Sequence, residues 1–181
     1  DSAELNTPLL TTREFFTIGW SPDGALLDAW RQAGGDAAAR RAVLDDVPPG
    51  ALTVAAEDVD QPVWSDGVGW FASAEDVCRV FVALHDRPPG DPDADMLRTI
   101  LGHNRGTEID EATFPYVAFK GGSARGVLAA SWFAERADGE TFVVAVRAAA
   151  DSADAVRAQT RFYDVGRYAF ELLAGEQVGP S

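Results

Sequence analysis

The chain has 181 residues, enough for a single domain that buries roughly 70% of its unfolded surface. Its formal net charge of −14 excludes nucleic acid and anionic membrane surfaces as partners, since both need clustered Lys and Arg; the charge serves solubility instead. A single cysteine excludes an internal disulfide, and no apolar run approaches the roughly 18 residues of a membrane span.

Helices are predicted in the first two-thirds. Thr11-Thr12-Arg13-Glu14 fits a capping box opening a short helix through Phe15, Phe16 and Ile18. Ser21-Pro22 predicts a second start, with proline at the first helical position and Leu26, Leu27 and Trp30 on one face. Asp36 caps a third helix through Val43 and Leu44, which stops before Pro48-Pro49-Gly50. From Pro48 to Gly69 the pattern is irregular, and loops of that length are usually functional or mobile. Ser73 caps an amphipathic helix with Val77, Val80, Phe81 and Leu84 on its buried stripe. Asp91 or Asp93 then opens a helix carrying Met96, Leu97, Ile100 and Leu101.

From Phe114 the period becomes extended. Strands are predicted over Phe114–Lys120, Val127–Glu135 and Thr141–Ala148, with Asp138-Gly139 as the hairpin between the last two. A final helix runs from about Asp151 to Ala174, offering Val156, Phe162, Val165, Tyr168, Ala169, Leu172 and Leu173 for burial, and Gly175 stops it. Three meandering strands closed by one long helix make an α+β arrangement, helical over about 8–110 and carrying sheet and terminal helix over about 113–175.

The candidate site is Lys120-Gly121-Gly122-Ser123. Alternation puts Tyr116, Ala118 and Lys120 on one face and Val117 and Phe119 on the other. An ammonium beside backbone that carries no side chains suits a carboxylate or an oxyanion, because charge and N–H groups converge unobstructed. The competing reading is a lysine snorkelling at a strand end before a turn.

Other chemistries find less support. His85 ends a helix, where a cation is mildly favoured, and His103 sits in a turn before Asn104-Arg105-Gly106. Cys78 falls within a helix, as a buried inert thiol. No metal site is expected from one cysteine and two histidines, and no cofactor fingerprint exists; no helix follows Gly121–Gly126 to form a phosphate cradle.

This order of elements, with Leu10-Thr11-Thr12-Arg13-Glu14-Phe15-Phe16, Gly69-Trp70-Phe71-Ala72-Ser73-Ala74-Glu75-Asp76 and Phe119-Lys120-Gly121-Gly122-Ser123, resembles the C-terminal part of class A-like serine β-lactamases and penicillin-recognising peptidases. The resemblance spans essentially the whole chain. It implies a β-lactamase/transpeptidase-like fold in which residues 1–181 are the C-terminal segment of one domain. The N-terminal helix and two strands of the full fold would be missing.

The resemblance implies catalytic roles for Lys120 and Ser123 and substrate-binding roles for Gly121, Gly122, Ser123 and Arg125. Lys120 would orient a substrate carboxylate and the proton-transfer network. Gly122 would let the strand pass close to the acyl group, and the Ser123 N–H would be an oxyanion donor. Ser123 Oγ and Arg125 would contact the carboxylate, Arg125 having the alternative of a solvated turn residue. Gly121 stands where the family has Thr or Ser.

The family's Ser-x-x-Lys nucleophile motif does not occur here; Lys120 is the only lysine. Ser-Asp-Asn and a Glu-x-x-x-Asn deacylation signature are also missing. Ser65-Asp66-Gly67 is read as a turn, and Glu57 and Asp58 are not singled out from surface carboxylates.

The segment is therefore expected to be inert alone. It would be the substrate-binding wall of an acyl-transferring hydrolase for β-lactams or D-alanyl peptides, or else a non-catalytic binding or scaffold relative. Strand 141–148 would present an unpaired edge to the missing N-terminal part or to a second copy. Family analogy implies secretion or a cell-envelope location.

Overall fold

The computed structural model describes residues 2–88, 90–152 and 159–175. Among them are α1 (Ser2–Leu5), α2 (Thr12–Trp20), α3 (Ala25–Ala33), α4 (Ala37–Asp45), α5 (Ala74–His85), α6 (Pro92–Gly102) and α7 (Gln159–Leu173). One antiparallel sheet, β1 (Tyr116–Ala124), β2 (Val127–Glu135) and β3 (Thr141–Ala149), has the order β1-β2-β3. The protein is thus mixed α+β.

Two compact units divide the chain. The first comprises the residues up to Ser73, Arg125–Val127 and a stretch beginning at Ala150; the second holds α5, α6, most of the sheet, and α7.

In the first unit, Thr11 and Glu14 form the reciprocal capping box of α2, with the Thr11 N–H donating to Glu14 Oε2 at 2.6 Å. The start expected at Ser21-Pro22 is displaced. Ser21 instead closes α2 by donating its N–H to Thr17 O, and α3 begins at Ala25 after Gly24, whose φ of +66° suits glycine. Asp36 caps α4 by accepting from the N–H groups of Ala38 and Ala39, at 2.8 Å each. These helices converge on a core that includes Phe15, Ile18, Trp30, Val43, Val63 and Val68. The long loop is pinned to this core by indole N–H groups, Trp20 to Gln61 O and Trp30 to Gly67 O. Arg40 is buried with its guanidinium 4.8 Å from the Trp30 ring centroid.

In the second unit the strand periods sort the core. Val117, Leu128, Ala130, Trp132, Phe162 and Phe170 pack on the α7 side, and Ala118, Phe133 and Phe81 form a second cluster with Val77, Leu101 and Tyr116. Trp132 is fully buried, donates its indole N–H to Arg105 O at 2.9 Å, and lies flat enough against α7 to require Gly166 there. A Cβ at 166 would come within 2.6 Å of the ring. The hairpin turns at Asp138-Gly139, where Gly139 has φ +91° and the Arg136 N–H donates to Glu140 O.

Several expectations are corrected here. The strand placed at 114–120 runs instead from Tyr116 to Ala124, because Pro115 has no N–H to pair and neither Gly121 nor Gly122 leaves the extended region. Lys120 therefore sits mid-strand rather than at a strand end. Val80, Met96, Ile100, Val165 and Leu172 are exposed despite their helical spacing, since no element covers those faces among the described residues. Cys78 is half-buried rather than buried. Asp151 and Ser152 form a bend, not the start of the last helix; that expected start beyond them and the expected burial of Val156 lie outside the described residues.

Candidate functional site

Lys120, Gly121, Gly122 and Ser123 are consecutive on β1, an edge strand of the sheet among the described residues. Lys120 and Ser123 are exposed. The Lys120 ammonium donates to the carbonyl of its neighbour Gly121 at 2.6 Å. The side-chain ion pairs of the described residues all use arginine, so Lys120 has no carboxylate partner among them.

The two glycines differ. A Cβ on Gly121 would meet Phe119 Cζ at 2.9 Å and Tyr163 Oη at 3.8 Å, so packing accounts for the small residue there. A Cβ on Gly122 would meet nothing within 4 Å, and its φ is not positive. A mid-strand glycine costs about 0.5–1 kcal/mol relative to alanine, and neither packing nor conformation requires this one. Gly122 leaves bare backbone on the same face as Lys120.

Arg125 lies in the β1–β2 turn, grouped with the first unit, and its Nε donates to Val59 O at 2.6 Å. Gly126 beside it, at φ +70°, would clash through a Cβ with Pro62, at 2.8 Å. Ser65 and Asp66, expected as a turn, belong to a one-turn 3-10 helix, Trp64–Asp66, which Gly67 closes at φ +75°, and Asp66 takes a bidentate contact from Arg31 at 2.8 and 3.1 Å. This hydrogen bond holds the Arg31 guanidinium above its ordinary value. Asp58 accepts from the Ala55 N–H, and Glu57 is exposed. Among the described residues no three His, Cys, Asp or Glu side chains cluster as metal ligands.

A groove of about 590 Å³ opens between the 105–114 loop and α7, floored by Ile109, Phe114 and Phe170. Its charges are mostly engaged within the protein: Arg105 with the carbonyl of Phe114 at 2.8 Å, Arg167 with Glu171, and Asp110 with Thr113. The Arg105 Nε is buried without an acceptor.

One cluster escaped the sequence. His85, at the end of α5, stacks on Phe133 with ring centroids 3.8 Å apart and planes at 10°. Its Nδ1 lies 2.8 Å from Phe81 O and its Nε2 3.2 Å from Tyr116 Oη. The Tyr116 hydroxyl also lies 3.2 Å from Arg98 O. The Arg98 guanidinium covers the Tyr116 ring at 3.8 Å and grips Glu135 at 2.6 and 3.0 Å. Burial pushes the His85 imidazolium down from its ordinary value and the Tyr116 phenol up, while the hydrogen bond from Arg98 pulls Glu135 down. The signal available beforehand was only the i, i+4 spacing of Phe81 and His85.

No protein-family model matches the chain, and no curated protein matches it as a relative.

Proposed function

We propose that this chain is the substrate-binding portion of a β-lactamase-like serine hydrolase, working through an acyl-enzyme on β-lactams or D-alanyl peptides outside the cytoplasm. The observation that carries the reading is Gly122: a mid-strand glycine that neither packing nor backbone conformation demands, beside the Lys120 ammonium, which has no carboxylate partner among the described residues. A carboxylate is the natural ligand of that pair. Ser123, next along the strand, would offer its N–H to the oxyanion of a tetrahedral intermediate. The chain holds no Ser-x-x-Lys, so on this reading the nucleophile would come from outside the 181 residues.

Exposure to a chromogenic cephalosporin and to a fluorescent penicillin tests this. The 181-residue chain should give neither turnover nor a covalent adduct, whereas the polypeptide extended upstream should be labelled at a serine of a Ser-x-x-Lys. Failure of the extended protein to react removes the enzyme. A non-catalytic carboxylate-binding relative would then stand, favoured by Gly121 in place of a hydroxyl residue and by the Phe119 ring that occupies its space.

The same reading gives β3 a partner. The strand pairs with β2 on one side and with no strand on the other among the described residues. Residues 141–148 would take the missing N-terminal part, or a second copy, as an added strand. Light scattering of the 181-residue chain is expected to show association, reversed by adding the upstream part in trans. A monodisperse monomer that ignores that part would count against it.

A further inference from the structure

We propose that His85, Tyr116 and the Arg98 carbonyl form a proton-operated latch, in which protonation of His85 turns the Tyr116 hydroxyl onto α6. The inference is independent of the proposed hydrolase.

Donor and acceptor bookkeeping carries it. A carbonyl oxygen only accepts, so the contact of Nδ1 with Phe81 O places a proton on Nδ1 in every charge state. In the neutral ring Nε2 is then an acceptor. Tyr116 has one hydroxyl proton and two acceptors at 3.2 Å, His85 Nε2 and Arg98 O, and can serve only one at a time. Adding a proton to Nε2 removes the conflict. Nε2–H donates to Tyr116 Oη, and the hydroxyl proton goes to Arg98 O. The proton taken from solvent thus completes a chain from the end of α5 through β1 to α6.

The surroundings fix the ring and set its threshold. Stacking on Phe133 holds the imidazole plane, so the two nitrogens keep their partners. From α6 the Arg98 cation opposes the charge, and from β2 Glu135 favours it; β1 contributes Tyr116. Directly after α5 the neighbouring charge is the exposed Asp86, and the only charged residue of β3, Arg147, is exposed. Burial is the largest influence and keeps the folded ring neutral to lower pH than the unfolded one.

The sign follows from linkage. The unfolded chain takes up the His85 proton more readily, so the contribution of the neutral ring is complete above the unfolded value near 6.5. It is lost as pH falls through the lower folded value. Acid therefore closes the latch while weakening the fold around it.

The chain has two histidines, so the ring signals of His85 are readily assigned in a nuclear magnetic resonance titration. In the ¹⁵N-labelled 181-residue protein at pH 8, His85 should be the Nδ1–H tautomer, the reverse of the form free histidine favours. Its midpoint should fall below the ordinary histidine value near 6.5, and the amide of Gly102 should shift with the His85 midpoint. In Tyr116→Phe the His85 titration should persist while that shift at the end of α6 disappears. A neutral Nε2–H tautomer would overturn the latch in the unmodified protein, whatever the variant does. So would α6 amides that do not follow His85, or that follow it equally in Tyr116→Phe.

Discussion

Replacing Trp132 with alanine is expected to destabilise the protein by about 3–5 kcal/mol, the range for deleting a large buried aromatic. The indole is fully buried, packs at 5.3 Å from Phe119 and 6.1 Å from Phe170, and donates to Arg105 O. Its loss leaves a cavity between sheet and α7 and strands a carbonyl that the indole satisfied. Urea unfolding followed by circular dichroism reads the effect, and a loss below about 1 kcal/mol would show that the ring is not the keystone of the second unit. Gly166→Val attacks the same contact from the other side, because its Cβ would lie 2.6 Å from the indole. The two changes touch one interface and should not add independently.

The second large effect concerns the proposed site. On the proposed reading, in the polypeptide extended upstream, Lys120→Ala is expected to slow acylation by a fluorescent penicillin by about a hundredfold or more, the scale of losing one electrostatic stabiliser of the transition state. Lys120 is exposed and its ammonium hydrogen-bonds to the adjacent Gly121 carbonyl, with no carboxylate partner among the described residues, so the unfolding midpoint should not move. Gly122→Ala is the sharper companion. It meets open space and should leave stability equal or slightly raised, yet reduce labelling because a methyl group now stands where the strand is bare. Unchanged labelling in both variants would remove the site from β1, whatever the chain's other activities.

Lys120 also shows how a candidate site can be legible before its geometry is. The lysine, the two glycines and the serine stand next to each other in the chain, so proximity needs no fold. Their placement does. The strand continues through Gly121 and Gly122 because pairing with β2 holds them extended, a choice glycine itself does not make. Gly121 and Gly122 look alike in sequence, and the packing of Phe119 and Tyr163 against Gly121 distinguishes them. The His85 cluster was hidden for a related reason: its members come from four elements, and nothing in 31 residues of separation between His85 and Tyr116 announces a hydrogen bond.

What the sequence by itself determined is local. The Thr11–Glu14 box, the Asp36 cap, the bounds of β2 and the hairpin at Asp138-Gly139 each depend on groups a few residues apart, whose geometry the backbone enforces. The tertiary structure decided which apolar faces are covered, with Phe81 buried while Val80, Met96 and Ile100 stay in solvent. It also placed the division of the chain at Ser73, so that α5 and α6 go with the sheet. Periodicity says only that a face is apolar. Burial requires another element to lie across that face, and long-range packing alone supplies one.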